Sequence, residues 1–162
     1  VLLMIVVMSY DEPACKPLQL WLRGRQWEFS ERDHRCDVAR NATILRFLAT
    51  GYPRSGSGDD SLVMLDSDTV PQDDSILTAS GEVAWCGYLP HHVDTFGSGC
   101  CRISRSVLEK VGREWFRHCY DAEHTRSVMC QCQWFAERCL AIGVKPQRVG
   151  IVGHLKHQLL LP

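Results

Sequence analysis

Four consecutive apolar residues, Leu62, Val63, Met64 and Leu65, run straight into Asp66-Ser67-Asp68, and a turn-rich stretch at residues 56–60 precedes them. So short an apolar run, entered through glycines, has the pattern of a buried strand rather than a helix. In an open α/β sheet, ligands sit outside the carboxyl ends of the strands, so Asp66 and Asp68 are expected to project into a binding crevice. Two carboxylates so close repel each other. A hard divalent cation removes that cost, since such ions are commonly held by one or two carboxylates together with substrate phosphates. D-x-D also serves ordinary turns, where Asp side chains bond the backbone. Its setting here favours the first use: an apolar strand leads in and Thr69-Val70-Pro71 leads out. Pro71 suits the first position of a helix through residues 72–74.

The segment from Leu62 to Pro71 resembles the metal-binding D-x-D segment of nucleotide-sugar-dependent glycosyltransferases with the GT-A fold. Further along, the likeness extends to other stretches. Residues 37–50 read as a helix, with Val38, Ala42, Leu45 and Ala49 on one stripe, Asp37 able to cap the start and Gly51 following the end. As a crossover helix leading into the Leu62 strand, it has its N-terminus at the sheet's carboxyl edge, where Arg40 would face an anion held by the metal. Ala39-Arg40-Asn41-Ala42 is similar to a pattern in family-2-like glycosyltransferases, and the resemblance implies that Arg40, Asn41, Asp66, Ser67 and Asp68 contact the nucleotide sugar. Residues 96–103 read as a strand entered through Gly97 and Gly99, which permit close approach of a ligand or neighbouring chain. Ser104 caps a helix over residues 105–111 that Gly112 ends. This run, with Glu114-Trp115-Phe116 after it, looks like the glycine-rich central segment of the same enzymes. The likeness would set Gly97 and Gly99 against the donor sugar and Trp115 and Phe116 near the acceptor; core packing is the other reading of that aromatic pair. Near the end, His154 in Gly-His matches the histidine that completes the metal site in many such enzymes. Asp66, Asp68 and His154 would then hold Mn²⁺ or Mg²⁺, the imidazole tilting the choice towards Mn²⁺.

One position departs from that pattern. The family carries Glu-Asp at the start of its last long helix, the aspartate being the base of inverting members, whereas this chain has Gln131-Cys132. Neither is a useful base for a sugar hydroxyl. Asp121, Glu123 or His124, in the loop just upstream, could substitute, reach deciding before pKa. A retaining mechanism, or a nucleotide-sugar-binding protein without turnover, accommodates the departure equally.

Composition sets the outer limits. With 162 residues and 45% hydrophobic content, the chain suits one core and a single domain over residues 1–162. Eighteen basic and nineteen acidic residues leave a net charge of -1, which calls for no nucleic acid and no anionic membrane. The apolar run at residues 1–8 has no basic flank or cleavage site and is far short of a membrane span, so a first strand and a cytoplasmic setting are expected. A loop at residues 9–13 follows it towards the ligand edge.

Residues 18–29 fit neither period, although a partly buried amphipathic helix suits them better than a base-stacking platform. Residues 81–88 read as a strand, residues 127–142 as a helix with Val128, Cys132, Phe135, Ala136 and Cys139 on its buried stripe and Gly143 as its stop, and residues 148–152 as a late or edge strand. Nine cysteines and seven histidines raise a structural zinc site as a second alternative. Spacing opposes it: Cys130 and Cys132, two apart on a helix, diverge, as do the strand neighbours Cys100 and Cys101, and His91-His92 has no partner spacing. The expectation is therefore an α/β three-layer sandwich, a central mostly parallel sheet flanked by helices. It would take a nucleoside diphosphate sugar and a divalent cation, with an acceptor the sequence leaves open.

Overall fold

The computed structural model describes residues 3–9, 13–31, 33, 35–50, 60–88 and 95–154. The chain opens with β1 (Leu3–Met8), α1 (Lys16–Leu22), β2 (Trp27–Phe29), α2 (Cys36–Ala49), β3 (Ser61–Asp66), β4 (Thr69–Pro71) and α3 (Ser75–Thr78). It continues with β5 (Val83–Tyr88), β6 (Cys100–Ser104), α4 (Arg105–Val111), β7 (Cys119–Tyr120), β8 (Ser127–Met129), α5 (Gln131–Ala141) and β9 (Gln147–His154). Seven strands form one sheet in the order β2-β1-β3-β6-β5-β9-β4, and β7 and β8 form a separate hairpin. Five strands of the large sheet run one way; β6, antiparallel to β3 and β5, and β4, antiparallel to β9, run the other. The architecture is mixed α/β, with a sheet mostly of one direction.

Side-chain alternation divides the core between the sheet's two faces. Val6, Met8, Leu62 and Met64 pack with Ile44 and Phe47 of α2, Val107 and Leu108 of α4, and Phe135 of α5. Ile5, Val7, Val63 and Leu65 point the other way, against Leu18 and Leu22 of α1 and Ile76 of α3. Full burial of a side chain the size of Phe47 or Phe135 stabilises by about 2 kcal/mol, so β3, fully buried from Ser61 to Leu65, anchors both halves.

The helix α4 forms as its local signals dictate. Ser104 accepts the Val107 N–H, and Gly112, at φ 73°, ends it. Elsewhere the expected elements shift. α2 buries Asp37, Ala39, Arg40, Thr43, Ile44 and Phe47, while Leu45 is 52% exposed, so the buried stripe is rotated from the expected one. Asp37 lies within the first turn, and the N-cap position is Arg35, which makes no side-chain capping bond. Thr69-Val70-Pro71 is a strand against β9, not a helix entry, and the short helix begins at Ser75. Residues 127–129 pair with the Cys119 strand rather than extending α5, leaving Val128 62% exposed. Residues 18–29 resolve into α1 and β2. Arg25 sits over the Trp21 ring at 4.4 Å and pairs with Asp74 at 2.7 Å. β9 lies inside the sheet, between β5 and β4, rather than at its edge. Gly51 and the His91-His92 pair lie outside the described residues.

Candidate functional site

β3 delivers Asp66 at its last position, and the turn at Ser67 and Asp68 hands the chain to β4. This tip is held from several sides. The Asp66 N–H donates to the Gly99 carbonyl at 2.8 Å, and the Cys15 N–H, at the start of α1, donates to the Ser67 carbonyl at 2.8 Å. Ser67 itself is buried, at 7% exposure.

From below comes Arg40. Its Nη2 donates to Asp66 Oδ1 at 2.7 Å and to the Ser98 carbonyl at 3.1 Å, while its guanidinium lies 5.8 Å from the Phe116 ring centroid. The arginine is 1% exposed and the Asp66 side chain 23%, so the guanidinium acts on the tip through Asp66 rather than by reaching into solvent. The sequence alone brought Arg40 and Asp66 to one edge of the sheet, and the structure joins them directly.

Two further residues belong to the tip, neither distinguished by sequence reading. Thr69 Oγ1 lies 3.3 Å from the Tyr88 hydroxyl, across from Gly99. Burial pushes the Tyr88 hydroxyl up to about 12, Asp66 and Asp68 adding in the same sense and the Thr69 hydrogen bond opposing. The phenol therefore stays protonated and able to donate beside two carboxylates. Folded Tyr88 keeps its proton to about pH 12, whereas the unfolded chain releases it at its ordinary 10.0, so this residue's contribution to stability is lost as pH rises through that window. The thiols of buried Cys101 and Cys139 and of partly buried Cys132, each raised from 9.0 chiefly by burial, act in the same direction from lower pH. Urea midpoints are expected to fall as pH rises above about 9, and Tyr88→Phe should flatten only the more alkaline part of the decline.

Gly99 has a steric reason to be glycine. A Cβ there would lie 2.9 Å from the Tyr88 hydroxyl oxygen and 3.1 Å from Asp66 Oδ2, whereas at Gly97 it would meet only the Trp85 ring at 3.7 Å. The close approach at Gly99 is thus made by the protein's own side chains. Gly99→Ala is expected to cost about 1–2 kcal/mol by overpacking and Gly97→Ala much less, as thermal denaturation of the pair will report.

The remaining expected residues fall around this tip or away from it. Asn41 spends its side-chain amide on the Phe116 backbone, donating to the carbonyl at 2.8 Å and accepting the N–H at 3.0 Å. Trp115, 3% exposed, donates Nε1–H to the Leu108 carbonyl, and Phe116, 1% exposed, stacks on Phe135 at 4.8 Å. Asp121, in the hairpin turn between β7 and β8, accepts both the N–H and the hydroxyl of Thr125, at 2.8 and 2.9 Å, and these bonds hold its carboxyl below the usual range. Glu123 is exposed in the same turn. Cys132 reaches the tip: its Sγ lies 3.1 Å from the hydroxyl of Ser98, the residue whose carbonyl accepts from Arg40. Burial pushes that thiol up, against the Ser98 hydrogen bonds. Of His154 the backbone is described; it is register-paired with Thr69, the residue after Asp68.

Among the described residues no group of three or more His, Cys, Asp or Glu side chains is placed to hold a metal ion. The donor set at the tip is two carboxylates, one neutralised by Arg40. Such a site suits an ion that arrives with phosphate oxygens and water, not one held in an all-protein cage.

The whole chain has measurable likenesses. No family model matches the sequence, and no curated protein matches it at a significant level. Among solved structures, it is similar to a mutant Drosophila β1,4-galactosyltransferase 7 in complex with manganese, UDP-Gal and xylobiose, with TM-score 0.60 and 14% identity over 98% of this chain and 74% of that one. It is also similar to A197 from STIV, with TM-score 0.59 and 16% identity over 94% of this chain and 83% of that one. The fold is glycosyltransferase-like. At these identities the likeness is one of fold, and the glycosyltransferase-like sheet sets Asp66 and Asp68 at its carboxyl edge. No helix among the described residues is long and apolar enough to cross a membrane.

Proposed function

We propose that this chain is a metal-dependent glycosyltransferase of the GT-A, three-layer kind, a single domain that moves a sugar from a nucleoside diphosphate donor to an acceptor. The observation that carries the reading is the Asp66–Arg40 pair beside Asp68 at the tip of β3, in a fold like that of a transferase solved with manganese and UDP-Gal. Asp66, Asp68 and Arg40 sum to one negative charge, enough to attract a divalent cation without trapping it. Asp66 and Asp68 would hold Mn²⁺ or Mg²⁺, with His154 as a third ligand; its pairing opposite Thr69 supports that role. When bound, the cation supplies positive charge to the diphosphate leaving group. Tyr88, protonated and half-buried, offers a hydroxyl to phosphate or sugar oxygens. Ser67, Asn41, Gly97 and Gly99 shape the donor side, and Trp115 and Phe116 the acceptor side. A base for the acceptor would come from Asp121 or Glu123. The nine unbridged thiols support a reducing, cytoplasmic setting.

Binding without turnover is the second reading, favoured by one observation. The residue touching Ser98 where the family carries a carboxylate is the Cys132 thiol, which burial keeps protonated. Calorimetry with a panel of nucleoside diphosphates, with and without Mn²⁺, tests the common part of both readings. Release of nucleoside diphosphate from its sugar separates them: turnover is the expected result, and tight Mn²⁺-dependent binding with no release would establish the second.

A further inference from the structure

Apart from the β3 tip, a cavity of about 450 Å³ runs beside α5, within the size range of about 300–1,000 Å³ typical of small-molecule sites. Cys130, Gln133, Ala136, Glu137 and Leu140 line it at helical spacing, so it follows one face of α5 for about 15 Å. Trp85 and Phe96 supply the facing wall, with ring centroids 6.4 Å apart. Both are core residues, and Phe96 is also fixed by Phe135 at 5.3 Å, so the slot is preformed. Lys145 and Pro146 join the lining at the C-terminal end of α5, where the Val144 N–H donates to the Cys139 carbonyl at 2.9 Å.

Two charged side chains reach this lining, and they differ in how they are occupied. The Glu137 carboxylate accepts the Gln133 amide at 3.0 Å. Lys145 is exposed and belongs to none of the ion pairs among the described residues. Arg148, the next cation along the chain, lies 5.6 Å from the Trp85 ring centroid and donates to the Tyr88 carbonyl at 3.4 Å, adding positive charge on the same side. An ammonium at one end of an apolar slot complements an amphipath with a single negative headgroup. A second negative charge would have to sit near Glu137, which disfavours a dianion. Leu140 and Ile142, 56% and 36% exposed, continue the apolar surface at this end of α5, where a hydrocarbon body would remove them from water.

We propose that the slot beside α5 binds a free acyl carboxylate, its hydrocarbon chain between α5 and the Trp85–Phe96 wall and its carboxylate on Lys145. Such binding is independent of the transferase reading, since no lining residue belongs to the β3 tip. The test is calorimetry of the full chain with dodecanoate, kept below its micelle-forming concentration, beside dodecanol, acetate and phosphatidylglycerol vesicles. One dodecanoate per chain is expected, with dodecanol weaker and acetate unbound. A second readout is chemical: bound dodecanoate should slow maleimide alkylation of Cys130, located by peptide mass, and leave the partly buried Cys36 at its own rate. Lys145 and Leu140 are exposed, so their substitution leaves the core intact. Dodecanoate affinity should fall about tenfold in Lys145→Glu, which exchanges attraction for repulsion, and stay within about threefold in Lys145→Arg. Leu140→Ser should cost about fivefold through lost apolar contact. Equal dodecanoate affinity in Lys145→Glu and the natural chain, dodecanol binding as tightly as dodecanoate, an unprotected Cys130 at saturating dodecanoate, or binding to vesicles alone would each overturn the proposal.

Discussion

Asp68→Ala is expected to abolish Mn²⁺-dependent binding of nucleoside diphosphate, weakening it by about a hundredfold or more, roughly 3 kcal/mol. Arg40 already balances Asp66, so the remaining negative charge of the three groups is the one Asp68 contributes. Without it the tip is neutral, and a hard cation has no electrostatic reason to settle there. The loss should be specific. Asp68 lies in a turn and is only half-buried, so the thermal midpoint of the variant should stay within a few degrees of the natural chain's, allowing about 1 kcal/mol for the altered turn. Calorimetry with and without Mn²⁺ reads the result. Unchanged affinity would take Asp68 out of the site.

The second large effect falls on stability. Arg40→Met removes a cation that is 1% exposed and leaves Asp66 facing an apolar side chain, which should cost about 3 kcal/mol, near the lower end for breaking a buried pair because Asp66 retains some contact with water. The urea midpoint should drop by about 1–2 M at ordinary denaturant sensitivity. A double-substitution cycle supplies the check, since adding Asp66→Asn removes the stranded charge and should recover part of the loss. Mn²⁺ offers an independent one. With the guanidinium gone the tip carries two negative charges, so added Mn²⁺ should raise the melting temperature of Arg40→Met more than that of the natural chain. An Arg40→Met protein as stable as its parent, or one indifferent to Asp66→Asn, would mean that the pair contributes little to the fold.

Several local signals were legible in the sequence, although the expected Asp37 cap was not among those realised. The apolar run of β3, the tip carboxylates and the Ser104 and Gly112 limits of α4 are signals within a few residues of the structure they specify. The glycosyltransferase-like fold was implied by the resemblance of these segments to those of that family. What escaped depends on distant partners. Pro71 has the local character of a helix start, but its segment pairs with Val152 and its neighbours in β9. The strand at Ser127–Met129 exists because Cys119 and Tyr120 lie beside it. The buried stripe of α2 was misplaced for a different reason: it includes Arg40 and Thr43, and a search for apolar periodicity passes over a buried arginine whose countercharge is 26 residues away. Tyr88 and Thr69 were overlooked because only the folding of β5 beside the tip gives them a role.

Both ends of the seven-stranded sheet, as described, are three residues long: β2 on one side, and on the other β4, which finishes in Pro71. A proline has no amide hydrogen to offer an incoming strand, and three residues give too little ladder for one to grip. The described sheet can thus carry β3, apolar from Leu62 to Leu65, in its interior, between two short borders that give a second copy little on which to accrete.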